Sequence, residues 1–178
     1  MKKKFFLRRL RPTDAERMLE WMKNKELMRY LRFDGEGMTL SDTQEFIIKA
    51  EDESENFHRA VTSEDGKYYG TVSLKNIDRE KCEAEYAIAL HAEAIGTGAA
   101  VCASRELLRI GFRQLLLKRI YLNVIRENQR AVRLYQKLGF QPFQSTTAVI
   151  KGDQTVILDW YEIGPLAAER NVKEEIAG

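Results

Sequence analysis

The chain has few of the residues that stabilise proteins through covalent links or metal ions. Its two cysteines, Cys82 and Cys102, are not at metal-ligand spacing, which argues against a disulfide scaffold and favours a reducing cytosol. Its two histidines, His58 and His91, are too few for us to expect a structural zinc site, and no metal is predicted.

Long apolar segments are also missing. No apolar run approaches the roughly 20 residues that a membrane helix needs, so no membrane association is expected. The N-terminus is basic, but its apolar stretch is three residues long and no small-residue cleavage site follows. We therefore expect a cytoplasmic protein that is not exported.

The length of 178 residues, with 44% hydrophobic and 31% charged residues, indicates one globular domain, predicted over residues 1–163, with a tail at 164–178. The net charge of +2 is unevenly distributed: 34–55 has eight acids against one base, and 105–137 has nine bases against two acids. Each segment is interpreted either as a surface that prefers one charge sign or as solvated helix faces. The basic segment lacks interleaved exposed aromatics, so no nucleic-acid partner is expected.

Residue periodicity predicts the order β-α-α-β-β-β-α-β-α-β-β. Thr13 and Glu16 have the spacing of a capping box, which predicts a first helix that runs to about Asn24, and Ser41 with Gln44 is predicted to cap the second. Strands are predicted at 3–10, 56–63, 67–77, 82–90, 118–126, 141–150 and 154–163. The fold class is therefore α/β (α+β), with a mixed, mostly antiparallel sheet of about seven strands, a central βαβ crossover and about four flanking helices.

A glycine turn, Gly96-Thr97-Gly98, joins the strand 82–90 directly to an amphipathic helix that includes Cys102 as a small buried residue. The first main-chain N–H groups of a helix have no intrahelical partner and, with the helix dipole, form an anion site. The glycines either only turn the chain or leave room for a phosphate. Two glycines alone do not decide between these interpretations.

Three stretches resemble a known family. They are "AEYAIALHAEAIGTGAA" (84–100), "RIYLNVIRENQRAVRLYQKLGF" (119–140) and the opening "LRRLRPTDAERMLEWMKNKELMRYL" (7–31). They look like the GNAT superfamily of acyl-CoA-dependent N-acetyltransferases, in the branch of ribosomal-protein N-terminal, spermidine and amino-sugar acetyltransferases. The resemblance covers about residues 5–162. It implies a single GNAT-like domain whose parallel strands are splayed at the cofactor site.

The resemblance also implies acetyl-CoA as cosubstrate and a set of binding residues. The cofactor loop of the family, Arg/Gln-x-x-Gly-x-Gly/Ala, would lie on Ile95, Gly96, Thr97, Gly98, Ala99 and Ala100. Ile95 departs from the pattern, because a basic or amide side chain is usual there. Arg105 or Arg130 could supply the missing charge. The pantetheine would pair with the main chain of Ile88, Ala89 and Leu90 and with Asn128, which could equally be the N-cap of its own helix.

Two further residues are implied to act in catalysis. Tyr135 resembles the general acid that protonates the leaving thiolate, although it could simply pack on the apolar row of its helix. The acceptor amine must lose a proton before it attacks, since an alkylammonium has a pKa of ~10. Glu85 is the first candidate for the base and Glu83 the second, with a solvated strand carboxylate as the alternative for both.

The resemblance predicts transfer of an acetyl group to a primary amine by direct attack in a ternary complex. The resemblance implies a small-molecule or peptide acceptor: a protein N-terminus, a polyamine, an amino sugar or an antibiotic. The alternative is a non-catalytic acyl-CoA-binding module. Homodimers are common in the family, so a homodimer is also considered.

Overall fold

The computed structural model describes residues 3–31, 35–150 and 154–168. One sheet contains the strands β1 (Phe5–Arg8), β2 (Phe57–Ser63), β3 (Tyr68–Asp78), β4 (Glu83–Leu90), β5 (Arg119–Ile125), β6 (Gln141–Ile150) and β7 (Gln154–Ile163). The α-helices are α1 (Ala15–Met22), α2 (Lys25–Met28), α3 (Leu40–Lys49), α4 (Ala99–Arg113) and α5 (Gln129–Leu138). Short 3-10 helices cover Pro12–Asp14 and Ala92–Ala94.

The strand order is β1-β2-β3-β4-β5-β7-β6. Every neighbouring pair is antiparallel except β4 and β5, which are parallel and joined by α4. A parallel pair needs a long crossover, and α4 provides it. The predicted seven-stranded mixed sheet with a central βαβ crossover is confirmed.

Helices cover both faces of this sheet because side chains alternate between the faces along each strand. Beneath α4 and α5 the core includes Val72, Leu74, Tyr86, Leu107, Ile120 and Leu122. On the opposite face, α1 and α3 bury Met18, Trp21, Ile47, Ala60 and Tyr68. The structure therefore has three layers, with the β4–β5 pair in the middle of the central layer.

Two predicted helix starts are wrong, each for a local reason. Asp14 precedes α1, but its carboxylate binds Arg8 (two contacts of 2.7 Å) instead of capping the helix, and no Thr13 cap forms. Helix α3 begins at Leu40, capped reciprocally by Thr39 and Asp42, so Ser41 lies inside the helix. The short helix α2, capped by the Asn24 side chain, was not predicted.

The prediction that Cys102 is buried is also wrong. This residue is exposed on α4, and its thiol lies 3.4 Å from the main-chain oxygen of Phe5. The residues of α4 that face the core are Ala99, Ala103, Ser104, Leu107, Leu108, Ile110 and Gly111. Cys102 lies on a different side of the helix from this set.

Residues 151–153, between the strands predicted at 141–150 and 154–163, lie outside the described residues, as do residues 32–34. Beyond β7, Ala167 and Ala168 still pack against the main core, while 169–178 lie outside the described residues. Among the helices that are described, none is both long and apolar enough to cross a membrane.

Candidate functional site

The strands β4 and β5 separate in the middle of the sheet. They pair only at Glu83–Arg119, Ala84–Ile120 and Glu85–Tyr121. In contrast, β4 continues to pair with β3 as far as Leu90. From Tyr86 onward, the side of β4 that faces β5 therefore has no strand partner, and the predicted splay is confirmed.

Alternation along β4 determines which main-chain groups face this gap. The His91 N–H donates to the Tyr69 carbonyl of β3 at 2.7 Å. Alternate residues of an antiparallel strand direct both main-chain groups to the same side, so Ala89 also faces β3. Ile88 and Leu90 then direct their N–H and C=O groups into the gap. Of the three residues predicted to pair with pantetheine, only these two have main-chain groups facing it.

The loop before α4 has two glycines in the left-handed region. Gly96 has φ +76° and Gly98 has φ +85°, values that L side chains rarely adopt. A Cβ at either position would meet nothing within 4 Å. The glycines therefore serve the backbone conformation and also leave open space beside the start of α4.

The main-chain N–H groups of this loop divide into two sets. Thr97 N–H donates to the Ala94 carbonyl and Ala99 N–H to the Thr97 hydroxyl, both at 3.3 Å. The N–H groups of Gly96, Gly98 and Ala100 make no hydrogen bond within the described residues. Of the five residues 96–100 in the predicted cofactor loop, three therefore keep a main-chain donor without a partner. Those three remain available to an anion at the helix start.

A buried hydrogen-bond chain joins β4 to the first turn of α4. Ser104 Oγ donates to the Ala100 carbonyl at 2.6 Å, so it accepts from the Tyr86 hydroxyl at 2.5 Å. Burial raises the pKa of Tyr86 well above its ordinary value, and the phenol stays protonated. Neither Tyr86 nor Ser104 is identified as a hydrogen-bonding residue by the sequence patterns described above. The sequence signal was a serine four residues after Ala100 on a buried row.

Asn128 lies where β5 turns into α5. Its Oδ1 caps the helix by accepting from the Ala131 N–H at 3.3 Å, and Gly139 ends the helix with φ +91°. The N-cap role considered for Asn128 is therefore confirmed. The Asn128 amide nitrogen makes no hydrogen bond within the described part of the chain, so the cap leaves it free to donate.

Tyr135 is buried in the layer of α4 and α5. Its ring packs edge-on against Tyr86 and Phe140, with each centroid distance 5.9 Å. The packing role considered for this residue is therefore present. Burial raises the pKa of Tyr135 to about 12. Its hydroxyl has no hydrogen-bond partner in the ranges that the structure describes, which leaves this donor unused by the fold.

Glu85 is at the last paired position before the strands separate, on the opposite face from Tyr86. Its carboxylate accepts from Asn76 Nδ2 at 3.0 Å and lies 3.6 Å from Lys75 Nζ, with the side chain 16% exposed. Glu83 is bound to Arg119 at 3.0 Å, and Arg119 also binds Glu162 at 2.6 Å. Glu83 is therefore committed to an ion-pair network, and Glu85 is the carboxylate nearest the point of separation along β4.

An open depression of about 310 Å³ lies beside the ends of the two strands. It is lined by α2 and the residues that flank it, by the 92–95 segment and by the turn into α5: Asn24, Glu26, Leu27, Tyr30, Ala92, Ile95, Glu127, Asn128, Gln129 and Arg130. Ile95 and Asn128, both predicted cofactor residues, meet here. Of the two arginines considered as substitutes for a base at 95, Arg130 lines this depression and Arg105 does not.

The described part of the chain contains no group of three or more His, Cys, Asp or Glu side chains arranged to hold a metal ion.

Comparisons with known proteins agree with this architecture. A family model described as an acetyltransferase (GNAT) domain matches residues 4–141. The chain is 38% identical over 89 residues to the spermidine N(1)-acetyltransferase of Escherichia coli (strain K12), a match that covers 50% of this chain and 47% of the relative. In that match the chain spans about half the length of the curated relative. It is 29% identical over 139 residues to the putative ribosomal N-acetyltransferase YdaF of Bacillus subtilis (strain 168), covering 75% of this chain and 76% of YdaF.

The fold also matches a solved structure, the spermidine N-acetyltransferase from Vibrio cholerae in complex with CoA and spermine. The TM-score is 0.83 at 24% identity, covering 93% of this chain and 98% of the other. At this identity the likeness concerns the fold alone. The family model, in contrast, matches most of the sequence from residue 4 onward. The chain therefore belongs to the GNAT acetyltransferase domain family.

Proposed function

We propose that this chain transfers the acetyl group of acetyl-CoA to a primary amine. The observation that carries the proposal is the end of the β4–β5 ladder at Glu85–Tyr121, which opens a gap next to the glycine loop of α4. Membership of the GNAT family and a matching fold solved with CoA support it. The proposal concerns both the activity and the cosubstrate.

The coenzyme would bind along the loop and the gap. Its diphosphate would accept from the free N–H groups of Gly96, Gly98 and Ala100 at the start of α4. Its pantetheine amides would pair with the exposed main-chain groups of Ile88 and Leu90, as a third strand would. The Asn128 amide nitrogen would donate to the same arm.

The reaction needs a neutral amine and a stabilised leaving group. The amine nitrogen attacks the thioester carbonyl, the C–S bond breaks, and the products are an acetamide and the coenzyme thiol. Glu85, directly or through water, would take the proton that the amine loses. Tyr135, whose raised pKa keeps the phenol protonated, would donate its proton to the leaving sulfur, which becomes the thiol, and would regain a proton from solvent before the next turnover.

Acid and base would then act from opposite faces of the sheet. Tyr135 belongs to the core layer of α4 and α5, and Glu85 points to the face covered by α1 and α3. Holding the amine and the thioester at the gap between them would supply orientation, the larger contribution to such a reaction.

A cationic alkylamine, such as a polyamine, is the acceptor class that we favour. The α2 wall of the depression carries the carboxylate of Glu26, and the opposite wall that of Glu127. Neither forms an ion pair with any described residue. The E. coli relative is a spermidine acetyltransferase, and the V. cholerae structure contains spermine.

The test is an acceptor screen that measures thiol release from acetyl-CoA. Spermidine, spermine, a peptide with a free N-terminus, an aminoglycoside and an amino-sugar nucleotide would be compared, with the product identified by mass spectrometry. We expect acetylated polyamine and thiol release well above hydrolysis. Acetyl-CoA binding without release for any amine would instead identify a non-catalytic binding module. Preference for another amine would overturn only the acceptor class.

A further inference from the structure

The coenzyme loop contains no positively charged side chain. Between His91 and Ala100 the only charged residue is Glu93, whose carboxylate is bound by Lys67 at 2.6 Å. Ile95, 50% exposed, contributes an apolar side chain to the same loop. Acetyl-CoA carries several phosphate charges, and the free main-chain N–H groups supply only partial charges. A full positive charge must then come from another element.

Arg130 lies in the first turn of α5, two residues after the Asn128 cap, and lines the same depression as Ile95. Its side chain is exposed and forms no ion pair with the described residues. The first turn of α5 contains no acidic residue. A cation at the N-terminal end of a helix is opposed by the helix dipole, so nothing in the helix itself favours an arginine here.

A bound anion would make an arginine at this position favourable. A phosphate placed in the depression would be attracted both by the guanidinium of Arg130 and by the N-terminal end of α5. The guanidinium also offers paired donors that match phosphate oxygens. Glu127 and Glu26 line the same depression, so the phosphate would have to bind on the side of Arg130 and Ile95.

We propose that Arg130 binds a phosphate of acetyl-CoA and supplies the positive charge that the loop lacks at Ile95. The inference rests on the proposed function for the identity of the coenzyme. It assigns to one side chain of α5 a role that the loop before α4 does not fill by itself.

Isothermal calorimetry with acetyl-CoA tests the assignment without requiring turnover. Arg130→Gln should weaken binding roughly tenfold or more, the loss expected for one charge-assisted hydrogen bond. Arg133→Gln is the matched control, because Arg133 is exposed on the same helix, does not line the depression and changes the net charge equally. Ile95→Arg in the Arg130→Gln background should restore most of the lost affinity.

Truncated coenzymes identify the phosphate. Acetyl-dephospho-CoA lacks the ribose 3′-phosphate, and acetyl-pantetheine lacks all phosphates. If the effect of Arg130→Gln disappears with the first, the contact is to the 3′-phosphate; if it persists there and disappears only with the second, the contact is to the diphosphate. Both results support the proposal.

Three results would overturn it. These are equal affinities for Arg130→Gln and Arg133→Gln, an equal loss with acetyl-pantetheine, or a double variant that binds no better than Arg130→Gln. In steady-state assays Arg130→Gln should raise the KM for acetyl-CoA and leave kcat unchanged. A parent chain that binds acetyl-CoA but acetylates no amine would contradict the proposed function alone, since the binding comparison remains valid.

Discussion

Replacing Tyr135 by phenylalanine separates a catalytic hydroxyl from a packing ring. The hydroxyl has no hydrogen-bond partner in the described ranges, and its burial raises the pKa to about 12. Removing this hydroxyl therefore breaks no hydrogen bond among the described residues and should not destabilise the fold. We expect the free energy of unfolding of Tyr135→Phe to equal or exceed that of the parent, because the contacts of the ring with Tyr86 and Phe140 are kept.

Turnover should respond very differently. A preorganised donor aimed at developing negative charge contributes about 10²–10³ in kcat, or about 2.7–4 kcal/mol. We therefore expect Tyr135→Phe to lower kcat about a hundredfold, with acetyl-CoA affinity nearly unchanged. Urea denaturation, calorimetry and thiol-release kinetics on the same preparation measure the three quantities.

The matched control is Tyr161→Phe on β7, which removes the hydroxyl of another buried tyrosine in the same core cluster. It should leave kcat close to that of the parent. The reasoning about Tyr135 is refuted if Tyr135→Phe turns over as fast as the parent. It is equally refuted if kcat and stability fall together, because the hydroxyl would then have a structural role.

Three more measurements follow from individual contacts. Ser104→Ala should destabilise the fold by about 1–3 kcal/mol in urea denaturation, because it leaves the buried Tyr86 hydroxyl unpaired. Adding Tyr86→Phe should recover part of that loss. Strictly additive effects of the two substitutions would contradict the hydrogen bond. Burial first, then nearby cations, lowers the pKa of His58 from 6.5 to about 4, so the unfolded state binds the additional proton between these values and stability falls as the pH drops through them. Between pH 7 and pH 4.5 the free energy of unfolding of His58→Gln should fall by about 1 kcal/mol less than that of the parent, a figure reduced because the ring is partly exposed. An equal fall in both proteins would exclude His58 as the source of the pH dependence. Glu85→Gln should lower turnover about a hundredfold at pH 7 and move the rising limb of the pH–rate profile to higher pH, because only an amine that is already neutral can then react. Glu83→Gln, the control, should keep the shape of the profile. An unmoved profile for Glu85→Gln excludes Glu85 as the base.

Elements whose signals lie within a few residues were predictable from the sequence. Asn128 and Gly139 mark the ends of α5 because the cap and the left-handed turn form between near neighbours. The strands of the β2–β3 and β3–β4 hairpins likewise follow from alternation and short turns. In contrast, the pairing of Asp14 with Arg8, six residues earlier on β1, matches no helix-capping pattern, and the predicted cap at Thr13 was therefore wrong.

The candidate site shows the same division. The sequence placed Glu85, Tyr135 and the glycine loop on the right elements, but their roles in catalysis stay predictions, as do the homodimer and the domain boundary at 163. It could not show that Thr97 and Ala99 use their own N–H groups within the loop, or that Arg119 joins Glu83 to Glu162 of β7. Those contacts depend on the loop conformation and on strands distant in the sequence.

Periodicity and turn chemistry are local, so the residue pattern alone predicted the seven strands, the longer helices, the glycines before α4 and the faces on which the candidate residues lie. Only the tertiary structure decided where β4 and β5 separate and which donors remain free. Pairing between these strands joins residues such as Glu83 and Arg119, which are 36 positions apart, and it ends after Glu85–Tyr121, a point that no local sequence pattern marks.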